Sequence, residues 1–109
     1  MDDEISIAKM LSVILQIHLF EATPFADPIA ALEVARVSPP EYLISDIAME
    51  GMTGIELARI VRREIPGCKI LLFSALAEGS ELVRRAGEKF SFLQKPVHPT
   101  ELVSALRNL

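Results

Sequence analysis

Cysteine is scarce in this sequence, and basic residues are fewer than acidic ones. Its one cysteine, Cys68, cannot form an internal disulfide or a cysteine-based zinc site, and it fits a reducing, cytoplasmic setting. We expect Cys68 to be a small core residue at the start of a strand. The 11 lysines and arginines are outnumbered by 15 acidic residues, giving a net charge of −4. We therefore expect no direct nucleic-acid partner, because such a partner needs a basic face.

Long hydrophobic runs are also missing. The longest apolar-rich stretch, Ile5 to Phe20, is interrupted by Lys9 and His18 and is too short to span a bilayer. Met1 is followed by acids instead of the basic start of a signal peptide. We expect no membrane segment and a single domain over residues 1–109, because half of the residues are hydrophobic and can form one core.

Helix-type and strand-type patterns alternate along the chain. Apolar residues at helical spacing predict helices over Ile5–Leu15, from Asp27-Pro28 to about Val37, from Gly54 to Ile65, over Glu78–Lys89, and from Pro99 onward. Short apolar runs predict strands at Leu19–Thr23, Tyr42–Asp46, Lys69–Ser74 and Phe90–Gln94. This alternation predicts an α/β fold in which helices cover both faces of a parallel sheet.

Three successive predicted strands lead to a polar residue: Asp46, Ser74 and Lys95. Because parallel strands bring their carboxyl ends to one edge of a sheet, we expect these residues to converge. Each one alone also fits an ordinary structural role, such as an aspartate in a turn. Together they supply a carboxylate nucleophile for a phosphoryl group, a hydroxyl, and a cation for phosphate oxygens. Asp2 and Asp3 are candidate oxygen ligands for a divalent metal.

This set of residues resembles the receiver domain of two-component response regulators, which has a CheY-like, flavodoxin-like fold. The matching segments are Asp2-Asp3-Glu4, the turn Asp46-x-x-Met49-x-Gly51-Met52-x-Gly54, Ser74-Ala75 and Lys95-Pro96. The spacing between these segments also agrees with the family, and the resemblance runs from Asp2 to the end of the sequence.

The resemblance implies a phosphoacceptor role. Asp46 would accept a phosphoryl group from a histidine kinase or phosphotransfer protein. Ser74 would turn towards the aspartyl phosphate, Lys95 would pair with it, and Phe92 would be an aromatic switch. The implied Mg²⁺ ligands are Asp2, Asp3, Asp46 and the backbone carbonyl of Ala48.

The resemblance also implies how the signal is read. The Glu78–Lys89 helix, the strand with Phe92 and the last helix would form the surface that contacts an unknown downstream protein. The protein would not be an enzyme beyond Mg²⁺-dependent self-phosphorylation and self-dephosphorylation.

Two features depart from the family pattern. Glu50 stands where the family has proline, for which we expect a modest effect on phosphorylation. Met1 stands where the family has an opening apolar strand, so the domain would be truncated at its amino end. A strand of about five apolar residues, at ~1.5–3 kcal/mol each, rivals the net stability of a domain. Either the natural protein starts upstream of Met1, or the chain compensates through a rearranged N-terminal segment or through a partner copy that covers the gap. Of these, we hypothesise a homodimer or other self-association. We also expect weak Mg²⁺ binding if Asp2 and Asp3 fray.

Three functional hypotheses stay open at the level of sequence. The first is a stand-alone cytoplasmic receiver without an output domain after Leu109. The second is a degenerate receiver-like interaction module that is not efficiently phosphorylated, which the missing strand favours. The third is a small phosphatase or hydrolase using Asp46, which is weaker because His18 and His98 have no evident place at the site and His98 is expected to face solvent.

Overall fold

A computed structural model describes residues 1–74, 79–85, 87, 89–96 and 98–109. Its helices and strands follow in the order α1 Ile5–Ile17, α2 Pro28–Val37, β1 Tyr42–Asp46, α3 Gly54–Glu64, β2 Lys69–Ser74, α4 Gly79–Arg85, β3 Ser91–Gln94 and α5 Pro99–Arg107. Within these described ranges, every helix is too short or too polar to cross a membrane.

The three strands form one parallel sheet in the order β1-β2-β3. The middle strand, β2, is buried at every residue after Lys69, as expected for a parallel strand covered on both faces. Neighbouring residues of β2 serve different core layers, because successive side chains point to opposite faces of a sheet. Leu72 packs in a layer with Leu57 of α3, whereas Leu71 packs in a layer with Leu106 of α5. The predicted α/β fold is therefore confirmed.

Local capping explains where two helices begin. The Asp27 carboxylate accepts a hydrogen bond from the Ile29 N–H at 3.0 Å, and Pro28 is the first residue of α2. The Thr53 hydroxyl oxygen accepts the Glu56 N–H at 3.2 Å at the start of α3. Both helix starts lie where the sequence predicts them.

The strand predicted at Leu19–Thr23 is wrong. Leu19 has φ of 70° and terminates α1 in a Schellman arrangement. Its N–H donates to the Gln16 carbonyl, and the Phe20 N–H donates to the Leu15 carbonyl. The chain after Leu19 runs without regular structure, because the described residues provide no continuous ladder of hydrogen bonds beside it.

The helix predicted at Glu78–Lys89 is shorter than expected. It spans Gly79–Arg85, and Lys89 lies outside it. Gly87, at φ of 74°, occupies a turn in which its N–H donates to the Arg84 carbonyl. Residues 78, 86 and 88 lie outside the described residues.

The amino terminus is anchored to the sheet. The Met1 ammonium donates to the Ile44 carbonyl at 2.6 Å, and the Met1 carbonyl accepts the Asp46 N–H at 2.9 Å. Next along the chain, the Asp2 N–H donates to the Phe25 carbonyl at 3.1 Å. The expected fraying of this terminus is therefore wrong, because hydrogen bonds hold it on both sides.

Candidate functional site

The carboxyl ends of the strands bring the predicted residues to one edge of the sheet. Asp46 is the last residue of β1, Ser74 is the last residue of β2, and Lys95 directly follows β3. Asp46 lies beside Phe73 in the register of β1 and β2, one position before Ser74. The Lys95 N–H donates to the Ser74 carbonyl at 2.9 Å, which fixes the chain beyond β3 against the end of β2.

Lys95 joins two carboxylates at this edge. Its Nζ lies 3.0 Å from Asp2 Oδ2 and 3.6 Å from Asp46 Oδ2. The same ammonium lies 4.9 Å from the centre of the Phe73 ring, which is itself buried in the core. Buried ion pairs of this kind keep their electrostatic strength, because little water screens them. The predicted convergence of Asp46 and Lys95 is present.

Three aspartates form an oxygen-lined cluster. Carboxylate oxygens of Asp2, Asp3 and Asp46 all lie within 4.8 Å of one another. Asp2 is buried, and its Oδ1 accepts the Glu4 N–H at 3.0 Å at the start of α1. Asp3 is exposed, and its Oδ2 accepts the Glu50 N–H at 3.1 Å. An oxygen-only set with one solvent-accessible member fits Mg²⁺, which prefers carboxylates and retains waters.

Burial shifts two pKa values at the site in ways that favour uncharged groups. Desolvation raises the pKa of the Asp46 carboxyl, while Lys95 and the N–H of Ala48 act in the opposite direction. Desolvation lowers the pKa of the Met1 amine from 8.0 to about 6. Sequence reasoning missed Met1 as a member of this site. The available signal was its position directly before the aspartate pair.

The glycine-containing turn after β1 is shaped by close backbone contact. A Cβ on Gly54 would collide with the Asp46 carbonyl group, and the Gly54 N–H donates to the Ile47 carbonyl at 2.9 Å. Gly51 has φ of 78°, a conformation that favours glycine. Ile47 is buried whereas Ala48 is exposed, so the core holds the turn while its tip stays accessible.

Four other residues considered in the sequence analysis are Ser74, Phe92, His18 and His98. Ser74 is fully buried, and Phe92 is partly buried against the core layer that contains Leu72. His18 Nδ1 contacts the Ile14 carbonyl at 2.9 Å at the end of α1, and His98 is exposed ahead of α5. Neither histidine belongs to the aspartate cluster, as expected.

The profile of the response regulator receiver domain matches residues 1–107. The chain belongs to this receiver family. Receiver domains of this family are signalling phosphoacceptors.

Curated relatives extend the comparison. This receiver is 30% identical over 108 residues to the DNA-binding response regulator MtrA of Mycolicibacterium paratuberculosis, a match that covers 97% of this chain and 47% of the relative. It is 31% identical over 113 residues to the cyclic di-GMP phosphodiesterase response regulator RpfG of Xanthomonas campestris, covering 99% of this chain and 30% of the relative. The chain thus spans about half or less of the length of these relatives.

Solved structures agree in fold. The chemotaxis protein CheY4 of Vibrio cholerae matches with a TM-score of 0.84 and 32% identity, covering 98% of this chain and 92% of that one. A response regulator of Chloroflexus aurantiacus matches with a TM-score of 0.84 and 30% identity, covering 98% and 90%. The receiver domain of NtrX from Brucella abortus reaches a TM-score of 0.87 at 22% identity, which supports the fold alone.

Proposed function

We propose that this receiver accepts a phosphoryl group on Asp46 from a histidine kinase or phosphotransfer protein. The observation that carries the proposal is the placement of Asp46, Asp2 and Lys95 around one point at the edge of the sheet. Lys95 lies 3.6 Å from Asp46 and 3.0 Å from Asp2, so a positive charge stands beside the proposed acceptor oxygen.

Asp46 acts as the nucleophile in this proposal. Its carboxylate oxygen attacks the phosphorus of a phosphohistidine, the P–N bond breaks, and the donor imidazole leaves with the bonding electrons. The attack requires an ionised carboxylate, and both Lys95 and the Ala48 N–H favour that form against the effect of burial. Lys95 then pairs with the phosphate oxygens, and the Ser74 hydroxyl hydrogen-bonds one of them.

The acidic cluster provides the Mg²⁺ site. Asp2, Asp3, Asp46 and the backbone carbonyl of Ala48 would hold the ion. Bound Mg²⁺ would neutralise negative charge on the transferring phosphoryl group and support self-phosphorylation from small donors as well as self-dephosphorylation. The hydrogen bonds that anchor the Asp2 and Asp46 backbones support this assignment, because they hold two of the proposed ligands in place before the ion binds.

The output follows from a shift between two arrangements of the site. Ser74 moves towards the phosphate, Phe92 reports that movement, and the surface formed by α4, β3 and α5 contacts a downstream protein in the cytoplasm. The names of MtrA and RpfG indicate different outputs, DNA binding and cyclic di-GMP hydrolysis. Our proposal concerns the receiver itself, whichever output it serves.

The degenerate-module hypothesis and self-association both rest on the expectation that the domain is truncated before Met1. Anchoring of Asp2 weighs against a degenerate site, because hydrogen bonds hold Asp2 within the aspartate cluster. Self-association stays a prediction. Light scattering across a range of protein concentrations tests it, and a mass that stays that of a monomer would contradict it.

Intact-mass spectrometry after incubation with acetyl phosphate and Mg²⁺ tests the proposed function. We expect one added phosphoryl group on the unmodified chain and none on Asp46→Asn. The matched control is Asp27→Asn, which alters an exposed carboxylate while keeping a good helix cap. A folded unmodified protein without an adduct, or an adduct that persists in Asp46→Asn, would overturn the proposal.

A further inference from the structure

Asp3 is the exposed member of the aspartate cluster, and a backbone group distant in sequence holds its carboxylate. Its Oδ2 accepts a hydrogen bond from the Glu50 N–H at 3.1 Å. The other two aspartates are buried, and Asp46 is also the last residue of β1. Asp3 has no such burial, so the bond from Glu50 is the contact that the structure shows holding its side chain.

The donor of this hydrogen bond is fixed by the hydrophobic core. The Glu50 N–H belongs to the peptide group that joins Glu50 to Met49, and the Met49 side chain is buried in the core layer that contains Leu57. The acceptor is different, because an exposed aspartate side chain can rotate about two bonds and loses that freedom when it is held. The hydrogen bond therefore positions the Asp3 side chain, and not the turn.

The same hydrogen bond connects the two segments that carry the proposed Mg²⁺ ligands. One segment is the Asp2-Asp3 pair, and the other is the turn after β1, in which Ala48 lies two residues before Glu50. A carboxylate has two oxygens with about four lone pairs, so it can accept an N–H and still bind a cation. The contact is thus compatible with Asp3 as a metal ligand.

We propose that the backbone N–H of Glu50 is a positioning group for Mg²⁺ binding, which holds the Asp3 carboxylate beside the other ligands before the ion binds. This inference rests on the proposed function and adds a residue to its metal site. Hydrogen bonds to metal-ligating carboxylates orient the ligands, and their loss typically weakens metal binding by about 10–100-fold. The role belongs to the backbone, so proline is the residue that cannot perform it, because proline has no N–H.

The opposite effect of this hydrogen bond would be competition with the ion. The Glu50 N–H and Mg²⁺ both bind electron pairs of Asp3, so a bond that drew Asp3 away from the cluster would weaken metal binding. The geometry favours positioning, because oxygens of Asp2, Asp3 and Asp46 lie within 4.8 Å of one another while the bond is formed. The two effects predict opposite changes in Mg²⁺ affinity when the N–H is removed.

A backbone ester at position 50 tests the proposal, because it replaces the N–H by oxygen and keeps the glutamate side chain. The Gly67-Cys68 junction allows chemical ligation of a synthetic 1–67 thioester to a 68–109 fragment, which gives the full chain without added residues. The control is the all-amide chain assembled in the same way. Calorimetric titration with Mg²⁺ measures both chains, and we expect the dissociation constant of the ester chain to be about tenfold higher.

Two recombinant variants provide a matched comparison. Glu50→Pro and Glu50→Gln both remove the charge of the side chain, but only Glu50→Pro also removes the N–H. Glu50→Pro should therefore bind Mg²⁺ about tenfold more weakly than Glu50→Gln.

Hydrogen exchange in EDTA examines the hydrogen bond without metal. Asp3→Ala removes the acceptor, so exchange of the Glu50 amide should become faster. The internal control is the Gly54 amide in the same turn, which donates to the Ile47 carbonyl at 2.9 Å and should exchange at an unchanged rate.

Three outcomes would overturn this inference while leaving the proposed function intact. The first is an equal Mg²⁺ affinity of the ester and all-amide chains. The second is tighter binding by the ester chain, which would show that the N–H competes with the ion. The third is unchanged exchange of the Glu50 amide in Asp3→Ala. By contrast, an all-amide chain that neither binds Mg²⁺ nor accepts a phosphoryl group from acetyl phosphate would overturn the proposed function, and this inference with it.

Discussion

The Met1 amine donates to β1 and Asp46 is the last residue of β1, and burial disfavours the charged form of both groups. Their effects on stability have opposite dependence on pH. A lowered amine pKa makes folding release a proton, whereas a raised carboxyl pKa makes folding take up a proton. These two residues therefore give the most direct electrostatic tests of the structure.

The free energy of unfolding should rise between pH 6 and pH 8. Burial lowers the pKa of the Met1 amine from 8.0 to about 6, because the fold favours the neutral amine. This contribution of the amine to the free energy of unfolding is fully present above pH 8 and is lost as pH falls through about 6. A shift of this size corresponds to roughly 2–3 kcal/mol. Urea unfolding at the two pH values measures it, and a chain acetylated at Met1 should lack this component. An equal rise in the acetylated chain would assign the effect to other groups.

Asp46→Asn should stabilise the fold at neutral pH when divalent metal is removed. The pKa of Asp46 is raised, so its ionisation opposes folding once the pH passes its ordinary value of 3.8. The gain should therefore shrink as pH falls towards 3.8. Denaturant midpoints of both proteins in EDTA test this. A less stable Asp46→Asn would show that the contact with Lys95 outweighs desolvation.

Gly54→Ala should damage both stability and phosphorylation. The added Cβ meets the Asp46 carbonyl, and backbone cannot move aside as a flexible side chain can. Forced overpacking costs about 1–3 kcal/mol, and here the displaced group belongs to the proposed acceptor. Gly67→Ala is the matched control, because nothing lies within 4 Å of a Cβ there. Unfolding curves and phosphoryl adduct yield should separate the two variants, and equal behaviour would contradict the close contact.

At the scale of elements, the residue that follows α1 has a strained backbone conformation that a substitution could relieve. Leu19 adopts φ of 70° although it is 95% exposed, so its side chain gains little from packing. Holding a residue with a Cβ in this left-handed conformation costs about 1–2 kcal/mol of folding free energy. Glycine avoids that cost, but it loses about 0.5–1 kcal/mol more than alanine on folding because its unfolded backbone is more flexible.

Leu19→Gly should therefore stabilise the protein by roughly 0.5–1 kcal/mol. Leu19→Ala removes the same exposed side chain but keeps the Cβ, so it should leave stability nearly unchanged. Thermal or urea unfolding of the three proteins measures the difference. Equal stabilisation by alanine and glycine would show that hydrophobic exposure, and not backbone conformation, is the cause.

Elements with their own local signals could be predicted from sequence. Asp27-Pro28 locates the start of α2 to the residue, and the apolar run Lys69–Ser74 matches β2. The alternating pattern of Leu19–Thr23 predicts a strand, but a strand forms only beside another strand that can pair with it. The order of apolar and polar residues within the segment does not reveal whether such a neighbour exists. The alternating pattern is therefore not sufficient for a strand, and the turn at Leu19 that terminates α1 could not be predicted because leucine rarely adopts positive φ.

At the scale of the whole molecule, the candidate site was predictable because parallel strands have one carboxyl edge. Asp46, Ser74 and Lys95 follow from that rule, and Lys95 does lie beside Asp46. The anchoring of Met1 and Asp2 was not predictable, because Met1 donates to the Ile44 carbonyl and Asp2 donates to the Phe25 carbonyl, and both acceptors are distant in sequence.

Chemical localisation of the phosphoryl group is the measurement that tests whether Asp46 is the phosphoacceptor. After incubation with acetyl phosphate and Mg²⁺, borohydride reduces an aspartyl phosphate to the alcohol with release of phosphate, and peptide mapping locates the resulting homoserine. Our account predicts homoserine at position 46 only when Mg²⁺ is present. Homoserine at Asp2 or Asp3, or its absence from a folded and metal-loaded sample, would contradict the assignment of Asp46 as the phosphoacceptor.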